Sequence, residues 1–430
     1  MRKPLERRHL RLQTAVAVAG LLGFGLFCAL VVSKTFFLGS DSAHHYSHVW
    51  YISDQLFHHG RLPLHVEYLE GGDALTFPYG VVPYLGTAAL YFFIGDRALT
   101  IAMAAGIVFY GYAATRARPA LRDLRLLSLI YANTFLVESL VSFQFTFIWA
   151  CGFFFLCVEA IDKRKWAMAC LWAVVATTTH IVAGPIAVAL YAAYALARRP
   201  RDFWPLAASM LAAALITLPF LWYTSTTPAV STTPVSYIWG TVRYMARFRG
   251  VIIALPFIVS ALAGVLRPLY LPAFALLAGV FFVRWQQKHV NIYGVLNESR
   301  PFYAEFIASP EFDRGFVYRV LEPNDREDGA YQLMRNRVEL AQEFFDQSQF
   351  RRWWYTVDQY SCFLGAKGID VVIYETDFKR KFNENEEWPL DELLKQGRVR
   401  VLYTDPQGRF IAYDVRDART EGASIDECGF

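Results

Sequence analysis

MRKPLERRHLRLQTAVAVAGLLGFGLFCALVVSKTFFLGSD, residues 1–41, decides the fold class. A cluster of Arg and Lys is followed by the apolar run Thr14–Val32. That run has about the 20 residues needed to cross a bilayer. A basic flank before an apolar stretch also fits a signal peptide. The length of the run, its poor cleavage site and the apolar runs downstream point instead to a retained anchor. The basic-inside tendency then puts the N-terminus in the cytoplasm and the next loop outside. Asp41 sits just beyond the span, at the membrane surface.

Working outward, the same pattern repeats. Hydrophobic residues make up 55% of the 430-residue chain and charged residues 19%, below the roughly 25% usual for soluble proteins. The charge deficit is uneven. Residues 1–285 are apolar runs broken by short polar or basic pieces, and 286–430 have ordinary charged composition. This predicts a transmembrane domain over 1–285, with a large first external loop at 33–80, and a soluble extracytoplasmic α/β domain over 286–430. Further spans are expected at Val81–Ile94, Leu99–Tyr112, Leu126–Val158 (broken near Glu138 to Gln144), Trp166–Leu196, Phe203–Tyr223, Val251–Leu266 and Leu269–Val283. Trp166–Leu196 reads as one tilted span or two short segments, because Thr177-Thr178-Thr179-His180 and Gly184-Pro185 interrupt it. The total comes to about 8–10 spans, a polytopic all-α membrane bundle. If Val81–Ile94 and Leu99–Tyr112 both cross, the basic loop RARPALRDLR lands outside, against the basic-inside tendency. Either one run is re-entrant or the tendency fails there.

In the C-terminal part, Glu322 to Phe350 has helical spacing around Leu333, Val338, Leu340 and Phe344. IDVVIYE from Ile369 reads as a buried strand, Leu390–Gln396 as a helix ended by Gly397, and VRVLYTD with RFIAYDV as a hairpin. Cys362 and Cys428 pair if this domain faces an oxidising compartment and their geometry permits. No CxxC occurs, which argues against a thiolate zinc site. No basic stripe with interleaved aromatics marks a soluble surface, so nucleic acid is not an expected partner.

Chemistry concentrates in GSDSAHHYSHVWYISDQLFHHGRLPLHVEYLEGGDALTFPYG, Gly39 to Gly80. It holds six of the nine histidines. If Asp41 opens a helix, then Asp41, His44, His45 and His48 share one face, because helical neighbours lie three and four apart. That makes an acid/base or metal constellation. The same residues also fit a plain helix cap beside histidines solvated among lipid headgroups. No cofactor is required by any motif, and a divalent metal stays open, although no HExxH is present. His180, and Glu138 near a span end, lie in apolar segments, where ionisable groups line pathways or bond to a neighbouring helix. Arg61 in the first loop and Arg243, Arg247 and Arg249 in a later one could grip a phosphate if external, or are ordinary basic-inside residues.

These pieces resemble the GT-C superfamily of membrane glycosyltransferases. The likeness is nearest to bacterial polytopic proteins labelled as 6-pyruvoyl-tetrahydropterin-synthase-related membrane proteins. It rests on SDSAHHYSHVWYISDQLFHHGRLPL, GGDALTFPYGVVPYLGTAALYFFIGD, THIVAGPIAVAL and FLGAKGIDVVIYE, in that order. The resemblance implies GT-C-like architecture in a bacterial plasma membrane. It implies a polyprenyl-phosphate sugar donor, and a glycan, lipid or protein acceptor in the cell envelope. Asp41 takes the place of the family's first-loop acidic residue, as general base. His44, His45, Arg61, His65, His180 and Arg249 are the substrate-binding candidates, with Arg61, His65 and Arg249 for the leaving phosphate. Two rival readings stay open: a transporter or flippase for a lipid-linked or polar solute, and a non-catalytic envelope assembly protein.

Overall fold

The structure is a computed structural model. It describes residues 42–63, 65–68, 73–74, 80–124, 143–181, 183–226, 301–321, 328–341, 356–375 and 384–428, with isolated positions in 14–33 and 127–139. The spans expected at Val251–Leu266 and Leu269–Val283, and most of Thr14–Val32, lie outside the described residues.

In chain order come helix α1 (Ser42–His58) and the short strands β1 (His65–Val66) and β2 (Asp73–Ala74). Six helices follow: α2 (Val81–Ile94), α3 (Arg97–Ala117), α4 (Phe145–Asp162), α5 (Trp166–Thr179), α6 (Ala183–Arg198) and α7 (Phe203–Thr226). The remainder is α8 (Pro301–Ile307), β3 (Val317–Leu321), α9 (Asp328–Arg335), β4 (Glu339–Leu340), α10 (Val357–Ala366), β5 (Val371–Glu375), α11 (Glu384–Lys395), β6 (Arg400–Thr404) and β7 (Phe410–Asp414). By packing, the chain divides into two units. One contains Thr76–Thr226. The other joins Leu38–Leu75 to Asn297–Phe430. Composition grouped the first loop with the membrane part, whereas packing groups it with the C-terminal part.

Among the described residues of the first unit, three stretches are long and apolar enough to cross a membrane: Arg97–Ala117, Phe145–Asp162 and Pro200–Pro219. At 1.5 Å per residue they measure about 27–32 Å, the thickness of the hydrocarbon core. The first and third leave large apolar side chains exposed, with Val108, Leu211 and Leu215 all more than half accessible, as lipid-facing helices do. Inside, glycines admit rings. Trp149 fills the space over Gly106, and Phe109 that over Gly152. Ala169, Ala173 and Ala176 bring α5 close to its neighbours.

The broken run 126–158 is interrupted at Phe143, which sits at φ 57°, and α4 starts only at Phe145. Trp166–Leu196 is two helices, not one tilted span. The chain extends at His180, φ −148°. The next helix then packs so tightly that any Cβ on Gly184 would run into the Ala176 carbonyl.

Contacts order the helix ends. Trp149 Nε1 donates to Ala102 O at 3.2 Å and Arg116 bonds Glu159 at 3.0 Å, so α3 and α4 run parallel. α5 returns antiparallel, with Phe153 on Trp172 and Phe147 on His180. Arg118, Asp162 and Tyr191 then meet at one end with Arg199. The loops at 118–124, 163–165 and 199–202 therefore share one end of the unit. α2 packs at the other end. Its first residue follows Gly80, whose N–H donates to Thr178 O at 2.8 Å. Its last is joined by a two-residue turn to the start of α3. Both ends of α2, a helix of about 21 Å, lie at the end of the unit opposite those loops.

The second unit has a five-stranded sheet in the order β4-β3-β5-β7-β6. β4-β3-β5 are parallel, and β5-β7-β6 antiparallel. Its core includes Tyr360, Phe363, Leu364, Ile369 and Val372. Strand β5, helix α11 ending before Gly397 (φ 72°) and the β6–β7 hairpin fall where the sequence places them. The helix expected over Glu322–Phe350 is shorter. α9 ends at Arg335, Arg337 turns to φ 60°, and Glu339–Leu340 pair as strand β4. Residues 342–350 lie outside the described residues. α10 opens on a reciprocal capping box between Thr356 and Gln359. Buried Arg319 forks onto Glu386 at 2.6 and 2.9 Å while Tyr360 donates to the same carboxylate. Such a pair is near neutral in net stability, but losing one partner costs about 3–5 kcal/mol.

Cys362 and Cys428 are joined in a disulfide, their Cα atoms 5.5 Å apart and 66 residues apart in sequence. Replacing both by Ser is expected to cost the C-terminal unit about 2–4 kcal/mol. Urea titration of oxidised, reduced and double-Ser protein, with a non-reducing gel shift, checks this. Asp414 is 2% exposed and bonds Arg416 and Arg400 at 2.8 Å each. The Arg416 guanidinium holds its carboxyl down at about 2. A depressed carboxylate stabilises above its unfolded pKa of about 4 and loses that stabilisation as pH falls toward 2. Asp414→Asn is therefore expected to lose about 1–3 kcal/mol at pH 7, a deficit that vanishes near pH 2, read from melts across that range.

Candidate functional site

α1 begins at Ser42, directly after Asp41. Its apolar residues are not confined to one stripe. Tyr46, Val49, Tyr51 and Ile52 are all buried, and so are the polar His45, Ser47, His48 and Ser53 between them. Burying a side chain the size of Val49 or Ile52 contributes about 1.5–3 kcal/mol. The helix packs on α9, with the Tyr46 ring 5.6 Å from Tyr331. Downstream, Tyr68 O accepts from Leu340 N at 2.9 Å, which attaches the first loop to the β4 edge of the sheet.

The exposed end of α1 carries a polar cluster. Asp54 is only 11% exposed and lies 3.3 Å from His58 Nδ1, 3.7 Å from His59 Nε2 and 3.6 Å from Arg337. Arg61 donates to Gln55 Oε1 at 2.5 Å and to Glu67 Oε1 at 2.7 Å. Glu67 N donates to the Tyr51 hydroxyl, and the Tyr51 and Tyr68 rings meet edge to face at 6.1 Å. Burial pushes both phenols up, so they act as neutral donors and acceptors. One partly buried carboxylate thus orients two imidazoles and a guanidinium, while the outer faces of His58, His59 and Arg337 stay open to solvent. That arrangement suits recognition of an anionic group.

Asp41 and Arg249 lie outside the described residues, as does Glu138. His44 belongs to α1 and His65 to β1, their side chains outside what is described. His45 is 2% exposed, buried beside His48 and not solvated among headgroups. Arg61 is exposed and held by Gln55 and Glu67. His180 belongs to the other packing unit. There it ends α5, its Nδ1 accepts from Ala183 N at 3.1 Å and its ring meets Phe147. Among the described residues, no three His, Cys, Asp or Glu side chains are grouped to hold a metal ion. The spacing of Asp54 and His58 was readable as helical neighbours. Arg337, nearly 300 residues away in sequence, gave no such signal.

The chain matches no protein-family model and no curated protein. Among solved structures it is similar to the crystal structure of ArnT from Cupriavidus metallidurans bound to undecaprenyl phosphate. Identity is 14%, the match covers 96% of this chain and 99% of that one, and the TM-score is 0.39. That likeness is loose, and function is argued below from this chain's own residues.

Asp54→Asn should leave His58, His59 and Arg337 without their shared counter-charge. The expected cost is about 1 kcal/mol at low salt, shrinking in high salt. Thermal melts of variant and wild type at two ionic strengths measure it.

Proposed function

We propose that this integral membrane protein is a glycosyltransferase of the GT-C kind. It moves a sugar from a polyprenyl-phosphate-linked donor to an envelope glycan, lipid or protein acceptor on the outer face. The observation that carries this reading is the burial of the histidine-rich helix that follows Asp41, docked on the C-terminal unit. A helix that merely capped itself among headgroups would leave those histidines solvated. A docked helix holds polar groups in fixed positions, as an acid–base site requires. The Cys362–Cys428 bridge supports an oxidising, extracytoplasmic location for that unit. Three basic loops gathered at one end of the membrane unit support a cytoplasmic assignment for that end.

In this mechanism the Asp41 carboxylate takes the proton of the acceptor hydroxyl as its oxygen attacks the anomeric carbon. The bond from that carbon to the phosphate oxygen breaks. Polyprenyl phosphate leaves with the electron pair. Arg61 and His65, in the same loop as Asp41, stabilise the growing phosphate charge. His44, on the helix that follows Asp41, orients the acceptor. Phosphate is a stable anion, so no strong general acid is needed.

Asp41→Asn is expected to keep the wild-type melting temperature and to slow release of polyprenyl phosphate by about 10²-fold or more. The assay uses purified protein and a panel of polyprenyl-phosphate sugars, with acceptor extracts and added divalent metal. Equal release by both proteins removes Asp41 from the mechanism. Absence of release by either transfers the weight to transport or envelope assembly.

A further inference from the structure

We infer that the basic end of the membrane unit is a binding surface for anionic phospholipid headgroups, a role separate from the proposed transfer reaction. Three loops distant in sequence converge there: the α3 C-terminus with 118–124, the α4–α5 turn, and the α6–α7 turn. They are tied together by ion pairs. Arg164 reaches Asp202 at 3.1 Å and Arg199 reaches Asp162 at 3.0 Å, while Arg118 bonds Asp162 too. Arg116 and Lys163 share Glu159 at 3.0 and 2.6 Å. Five cations thus occupy three carboxylates, and those carboxylates face inward.

Four more cations have no carboxylate partner among the described residues: Arg122, Lys165, Arg198 and Arg201. All four are exposed. Among the described residues, Arg198 bonds the Tyr194 hydroxyl at 2.9 Å, its guanidinium over that ring at 5.7 Å. A surplus of solvated cations repels itself unless anions sit against it.

What lies beside these cations identifies the anion. Trp204, in the first turn of α7, is 79% exposed, and Tyr112 and Tyr194 are also accessible. Amphipathic rings of this kind mark the headgroup level. Farther along the same helices, Leu190 and Leu211 are exposed. Cations, then rings, then bare aliphatic surface is the order of a phospholipid: phosphate, glycerol ester region, acyl chain. A soluble anion would use the cations alone. Guanidiniums match phosphate oxygens two at a time, and each cation near an anionic leaflet strengthens attachment about fivefold.

The test uses full-length protein in neutral detergent, titrated with phosphatidylglycerol or phosphatidylcholine and read by native mass spectrometry. Wild type should bind phosphatidylglycerol in preference, and less so at high salt. The variant Arg122→Gln/Lys165→Gln/Arg198→Gln/Arg201→Gln should lose roughly 600-fold in that binding. Its melt in neutral detergent should be unchanged, because none of the four holds a carboxylate. If that variant fails to fold, Arg198→Gln/Arg201→Gln should still lose roughly 25-fold. Equal binding of the two lipids by wild type, or undiminished binding by the variants, overturns the inference. Displacement of lipid by inorganic phosphate at matched phosphate concentration also overturns it, by assigning the surface to a soluble anion. None of these readouts depends on Asp41 or on transferase activity.

Discussion

The docking of α1 on the C-terminal α/β unit is the contact on which the rest of that unit's surface chemistry depends. It buries Tyr46, Val49 and Ile52, and it joins the first loop to a sheet edge through Tyr68 and Leu340. Without it, β4 would present an unpaired edge, and Asp54 would have no Arg337 to meet. Apolar burial is what makes the polar arrangement affordable: the aromatic and aliphatic side chains hold the helix while His45, Ser47, His48 and Ser53 are withdrawn from water. Burying polar groups costs free energy unless they are hydrogen-bonded, so a helix of this composition persists only where its apolar residues more than offset that cost.

In the membrane unit a different constraint governs. A backbone in lipid must satisfy its own hydrogen bonds, and charge collects where water is available. Among the described residues, the loops at 118–124, 163–165 and 199–202 come to one end. There, carboxylates placed at helix ends neutralise part of the charge and knit the loops together. The opposite end carries Gly80, the helix starts Arg97 and Phe145, and the break at His180. The two ends therefore differ in character, one cationic and tied by ion pairs, the other made of breaks and turns.

Much of this was legible in the chain. Runs of apolar residues at bilayer length located α3, α4 and α7, because their period and composition answer directly to the solvent around them. Thr177 to Pro185 announced a possible break, and Pro406-Gln407-Gly408 announced the hairpin. The errors have physical causes as well. Helical spacing from Glu322 onward continued through Val338 and Leu340, but Leu340 is needed by the sheet, and strand pairing overrode local preference.

By itself, then, the sequence determined that the chain enters a membrane, where its charge surplus lies and which loop concentrates acid–base side chains. These follow from composition and from neighbours three or four residues apart, and such short-range facts are written into any linear stretch. Only the tertiary structure decided that His45 and His48 are buried, that Asp54 meets Arg337, that Cys362 meets Cys428 and that the basic loops share one end. Each depends on a long-range contact bringing together groups from distant parts of the chain. No local pattern encodes the partner, because what selects it is the burial of apolar surface by the whole fold.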